Sequence, residues 1–137
     1  MTIELLYLLL VALLTGALWI PVVIGYASSR GPLKPADYII APTSPLPAWV
    51  NRANRAHLNA LESIVPFAIA VLVANAAGVS TSITEMSAAV FFYARVAHAV
   101  IHISGFSLLR ARTIVFTIGW LAFMTFAVEL LRQAARA

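Results

Sequence analysis

The sequence contains no cysteine. That absence excludes disulfides, thiolate metal ligands and a nucleophilic thiol of the protein's own, so any thiol chemistry must use a thiol carried in by a substrate. Charge is scarce as well. Only 10% of the 137 residues are charged and 62% are hydrophobic, whereas an ordinary soluble domain carries about 25% charged residues. Such a chain belongs in a membrane. There is one lysine, Lys34, beside eight arginines, a bias in keeping with a GC-rich bacterial genome. The formal charge of +4 does not point to nucleic acid, because no basic patch is interleaved with aromatics on a soluble surface. Membrane lipids are the expected surroundings.

What is present is four apolar tracts. Spanning roughly 30 Å of hydrocarbon takes about 20 helical residues, and the predicted helices cover about 3–26, 46–77, 83–106 and 111–134 of a single domain, 1–137. The first tract opens on Met1-Thr2-Ile3-Glu4, without a positive n-region, and outruns a signal peptide, so it is expected to stay as a transmembrane helix. The loops after the first and third helices share one side of the membrane and hold Arg30, Lys34, Arg52, Arg55, Arg110 and Arg112. The other side has only Arg132 and Arg136, which predicts a cytoplasmic location for the first set and termini outside the cytoplasm, in a bacterial inner membrane.

Proline and glycine punctuate these tracts. Pro21 and Pro66 each remove an intrahelical hydrogen bond and are expected to kink the first and second helices. The segment "SSRGPLKPADYIIAPTSPLPAW" predicts one long irregular loop, with entry to the second helix between Ser44 and Pro47. Gly78 is expected to stop that helix, and Ser82 and Glu85 have capping-box spacing at the start of the third. The short connections make neighbouring helices antiparallel.

Polar residues inside the tracts carry the functional signal. Arg52, Arg55, Asn59 and Glu62 fall within an arc of about 80° on one helix, and Arg95, His98 and His102 within about 60° on the next. A charge near the bilayer centre costs about 3 kcal/mol or more, so Glu62 and Arg95 should avoid lipid. The plain alternative is an interhelical Glu62–Arg95 salt bridge, with the histidines hydrogen-bonded to neighbouring helices. A buried ion pair is a weak source of stability, and so many convergent groups favour a polar binding cavity. Arg112 and Thr113 sit in the first turn of the fourth helix, where backbone N–H groups and the dipole already favour an anion. Beside a cavity, that turn would hold an oxyanion or a thiolate; Arg110 and Arg112 otherwise read as headgroup anchors. His57 falls off the stripe and reads as an interfacial residue, and Trp19, Trp49 and Trp120 as interface anchors or packing residues.

The stretch "RANRAHLNALESIVPF", followed by "YARVAHAVIHISG", resembles the MAPEG family, membrane-associated proteins in eicosanoid and glutathione metabolism. The motif R-A-H-x-N-x-x-E at Arg55 to Glu62, the R-V-A-H run at Arg95 to His98 and the Arg-Thr opening of the last helix carry the likeness, which covers helices two to four. It implies an all-α integral membrane four-helix bundle, assembled as a homotrimer, with glutathione as cosubstrate in a cavity between subunits. Arg55, Asn59, Glu62, Arg95, His98 and His102 would bind glutathione, and Arg112 and Thr113 would be catalytic through the thiolate. Leu58 stands where the family has a glutathione-contacting arginine, and His102 and Phe116 stand at tyrosine positions.

The leading expectation is therefore a glutathione-dependent transferase or peroxidase acting on lipophilic electrophiles. The alternative is a non-catalytic relative that binds a lipid or small anion. A third reading places a metal or haem on His98 and His102, an i, i+4 pair on one helix face; no metal is assigned.

Overall fold

The computed structural model describes residues 1–32, 34–40, 45–107 and 110–136. Helices α1 (Ile3–Ala17), α2 (Trp19–Arg30), α3 (Ala48–Ala76), α4 (Ser82–Ser104) and α5 (Ala111–Ala134) dominate, with one 3₁₀ turn at Pro35–Tyr38 and no strand among the described residues. Four spans are long and apolar enough to cross a bilayer, with α1 and α2 together making the first. The protein is thus an all-α, multi-pass integral membrane protein.

The break in the first span lies at Leu18, three residues before Pro21. Proline has no N–H to give to the carbonyl one turn back, so the ladder fails on its N-terminal side. Pro21 itself occupies the first turn of α2, where an N–H would lack an intrahelical partner anyway. Across the break stands His57, whose Nδ1–H donates to the Thr15 carbonyl at 3.1 Å while its ring lies 5.3 Å from that of Trp19. It is half-buried between α1 and α3, a structural tie where the sequence predicts an interfacial residue.

The second predicted kink does not interrupt its helix: α3 runs unbroken for 29 residues with Pro66 inside. Its N-cap is Pro47, while Ser44 lies outside the described residues. It ends as predicted at Gly78, whose φ of +67° suits glycine. There the Val79 N–H reaches the Ala74 carbonyl and the Gly78 N–H the Asn75 carbonyl, the paired bonds of a Schellman ending. The capping box of α4 sits one residue earlier than the Ser82/Glu85 spacing indicates. Thr81 and Thr84 exchange bonds, the Thr84 N–H to Thr81 Oγ1 at 3.2 Å and the Thr81 N–H to Thr84 Oγ1 at 2.8 Å.

Thr84 is drawn inward because its hydroxyl also donates to Glu4 Oε1 at 2.6 Å, joined by the Ser80 hydroxyl at 2.9 Å. Glu4 is only 2% exposed. A carboxylate with two hydroxyl donors fastens the start of α1 to the α3–α4 turn.

The core is aromatic and small-residue. Phe67 stacks on Phe91 at 4.1 Å and meets Phe126 edge-on, with Val11, Val71 and several alanines around them. Buried Ala53, Ala56 and Ala60 form a small-residue stripe on α3 that lets neighbouring backbones approach, the usual device where lipid removes the hydrophobic drive for helix association. The tightest approach is at Gly25, where an added Cβ would lie 2.6 Å from Val50 Cγ2. Gly25→Ala is expected to push α2 off α3 and destabilise by about 1–3 kcal/mol, the usual cost of overpacking. Thermal unfolding in detergent checks this, and Val50→Ala in the same chain should restore part of the loss.

Candidate functional site: a polar cavity among three helices

The two polar stripes meet. Helix α3 contributes Arg55, Leu58, Asn59 and Glu62 to a cavity of about 380 Å³. Helix α4 adds His98 and His102, and the first turns of α5 add Arg112, Thr113 and Phe116. Seven of the eight predicted site residues therefore line one space. It is set by helical periodicity: the stripes point the same way because their members recur every three or four residues. The volume falls within the range of about 300–1,000 Å³ typical of small-molecule sites.

Arg95 is the exception. It lines an adjoining chamber of about 240 Å³ with Ser63, Pro66, Phe91, Trp120 and Phe123, and the two spaces share Asn59, Glu62 and Phe116. Arg95 is 4% exposed, and its Nη1 donates to Ser63 Oγ at 2.6 Å and Asn59 Oδ1 at 3.3 Å. Its guanidinium lies 5.6 Å and 5.2 Å from the Phe91 and Phe116 ring centroids. The Glu62–Arg95 salt bridge of the plain alternative is absent among the described residues, and Glu62 is left at the cavity wall. The result is a polar chamber side by side with an aromatic one further along α5.

The first member of the α3 stripe also has a separate task. Arg52 Nε donates to the Ile103 carbonyl at 3.1 Å, so this cation caps the C-terminus of α4, where orphan carbonyls and the dipole favour it. Gly105 ends that helix with a φ of +77° and lies against the Arg52 side chain; a Cβ there would be 3.0 Å from Arg52 Cζ. Arg52, Arg110 and Arg112 together line a third hollow of about 360 Å³ beside the α4–α5 connection.

Helix α5 begins at Ala111, with Arg110 at the cap in the left-handed region at φ 54°. Arg112 and Thr113 are thus its second and third residues, among the N–H groups that have no intrahelical acceptor. An anion at this end of the cavity would meet a guanidinium, a hydroxyl and the positive end of a helix dipole together. The rings of His98 and His102 stand edge to face at 5.4 Å, and His98 lies 5.9 Å from Phe116. Among the described residues no three His, Cys, Asp or Glu side chains converge as metal ligands.

Comparison with known proteins agrees with this architecture. The MAPEG family model matches residues 5–132. A horse (Equus caballus) prostaglandin E synthase is 34% identical over 89 residues, which cover 64% of this chain and 56% of that protein. The chain thus spans little more than half the length of that curated relative. With a match running from α1 to the last turns of α5, the chain belongs to the MAPEG family, a membrane-embedded, glutathione-related enzyme family.

Proposed function

We propose that this protein is a glutathione-dependent transferase or peroxidase that acts on lipophilic electrophiles within the membrane. The observation that carries this reading is the convergence of Arg112, Thr113 and the α5 N-terminus on the cavity that holds the α3 and α4 stripes. Glutathione has two carboxylates, one ammonium, two peptide groups and a thiol. The lining answers with the guanidinium groups of Arg55 and Arg112, the Glu62 carboxylate, the Asn59 amide and two imidazoles, so the residues fit the ligand.

When bound, glutathione supplies the nucleophilic sulfur that a chain without cysteine does not provide. Glu62 is assigned to its ammonium, and Arg55, Asn59, His98 and His102 to its carboxylate and peptide groups, with Arg95 acting from the adjoining chamber. Arg112, the Thr113 hydroxyl and the N–H groups of α5 stabilise the thiolate, which raises its population at neutral pH. The aromatic chamber receives the apolar part of the electrophile from the lipid. Placement and electrostatics supply the rate, because both partners are held where charge develops. The assembly is a homotrimer in a bacterial inner membrane, with the polar cavity toward the cytoplasm and the termini on the other side.

A second reading, a non-catalytic member that binds a lipid or small anion, draws on Leu58, His102 and Phe116. All three line the cavity, at positions where the family resemblance implies an arginine and two tyrosines. Isothermal titration of the detergent-purified protein with glutathione is expected to show binding; no heat at millimolar ligand removes the proposal. A thiol-conjugation assay with a generic aromatic electrophile then separates enzyme from binder.

A further inference from the structure

We infer that Arg95 is a positioning residue. Seated in a notch made by Gly119, it turns the Asn59 amide so that its oxygen faces the aromatic chamber and its NH₂ faces the polar cavity. The chemistry of the groups fixes the sense of the amide. A guanidinium can only donate, so the Asn59 atom 3.3 Å from Arg95 Nη1 must be the oxygen, Oδ1. The same Nη1 donates to Ser63 Oγ at 2.6 Å, and the Ser63 hydroxyl donates onward to the Asn59 backbone carbonyl at 2.7 Å. Asn59 is thus held at both its side-chain and main-chain oxygens. Its Nδ2 makes no hydrogen bond to another described residue, which leaves two N–H donors on the side of the amide away from Arg95, next to the spaces that Asn59 lines.

Gly119 makes this geometry possible. A Cβ at that position would stand 3.1 Å from Arg95 Nη2, 3.3 Å from Arg95 Nε and 3.3 Å from Ala94 Cβ. The absent side chain is the space that the guanidinium fills as it crosses from α4 over α5 to α3. The rings of Phe91 and Phe116 then keep it in place. Arg95 has no carboxylate partner among the described residues, so its bonds to Asn59 and Ser63 are its polar anchorage.

The consequence for recognition is definite. At Asn59 the cavity offers a donor, so the ligand group opposite is an acceptor, a carboxylate or a peptide carbonyl. This last step rests on the glutathione reading; the amide orientation and the notch do not.

The experiment uses the full chain in detergent. Asn59→Asp gives Arg95 a carboxylate and removes the donor facing the ligand. Its melting temperature is expected to rise by a few degrees while glutathione affinity falls at least tenfold. The rise reports the Arg95–Asn59 contact and the fall reports the Asn59 donor. That Arg95 orients this donor is read from Arg95→Met, expected to weaken glutathione binding when Asn59 is present but hardly at all in the Asn59→Asp background. Equal losses in the two backgrounds, or a lower melting temperature for Asn59→Asp, overturn the inference. Gly119→Ala and Arg95→Met are each expected to lower the melting temperature, and the double variant to lose clearly less than the sum of the two, because methionine vacates the guanidinium's part of the notch while the contact with Ala94 Cβ remains. Additive losses overturn it. Arg95→Lys replaces Arg95→Met in the cycle if the methionine variant does not fold. The melting temperatures are read without glutathione, so a parent that fails to bind it sinks the proposed function while these couplings still decide the role of Arg95.

Discussion

Arg112→Ala is expected to cut glutathione-dependent turnover by about 10²–10³-fold, the usual cost of losing one preorganised group that stabilises developing negative charge. Affinity for glutathione is expected to weaken no more than about tenfold, because the remaining polar groups of the cavity stay in place; steady-state kinetics beside calorimetry separates the two. The fold should not suffer. Arg112 is the second residue of α5, where the positive end of the helix dipole repels a cation. Removing it relieves that repulsion, so the melting temperature should hold or rise. A cation set against the local dipole is what the proposed thiolate at the adjoining cavity would call for. Arg112→Lys should restore part of the rate, since it returns the charge without the planar fork of donors. Turnover unchanged by the alanine substitution would take Arg112 out of the mechanism.

Phe67→Ala is expected to give the largest loss of stability, about 2.5–4.5 kcal/mol. The reasoning differs from that for a soluble core. Acyl chains are as apolar as the interior, so burying a ring here gains contact with neighbouring side chains more than escape from water. Phe67 is fully buried, stacked at 4.1 Å on Phe91 and edge-on to Phe126 at 6.1 Å. Alanine would leave a void of roughly 100 Å³, worth about 2.4 kcal/mol at 24 cal/mol per Å³, and would remove two ring pairs worth about 1 kcal/mol each in favourable cases. Leu72, 53% exposed on the same helix, is the control. Its replacement by alanine should change stability by less than about 0.5 kcal/mol. Reversible unfolding in mixed micelles reads both. An equal loss at the two positions would mean that the aromatic cluster does not anchor the bundle.

The spans and the polar stripes were legible in the sequence for one physical reason: both depend on periodicity and length along a single helix. Arg55, Asn59 and Glu62 had to share a face, and so did His98 and His102. Depth and cross-helix partners are not periodic quantities. Arg95 shares the angular position of His98 within about 60°, but its side chain reaches a separate chamber because Gly119 leaves it room. Arg52 belongs to the stripe by angle, and its head serves the end of α4. The missed carboxylate, Glu4, gave no warning, because an acid in a first helical turn is ordinary dipole complementarity. The α4 cap was displaced by one residue for a related reason. Thr81/Thr84 and Ser82/Glu85 both satisfy local spacing, and contact of Thr84 with Glu4 decides between them.

That contact orders biogenesis. The hydroxyls that receive Glu4 belong to Ser80 and Thr84, 76 and 80 residues downstream. At about 5–20 residues per second of synthesis, the ribosome takes roughly 4–16 s to deliver the second of them after Glu4. Throughout that interval the nascent first helix must keep its acidic end in water, headgroups or the translocation machinery. Its final seat forms only when the third membrane segment arrives to receive it.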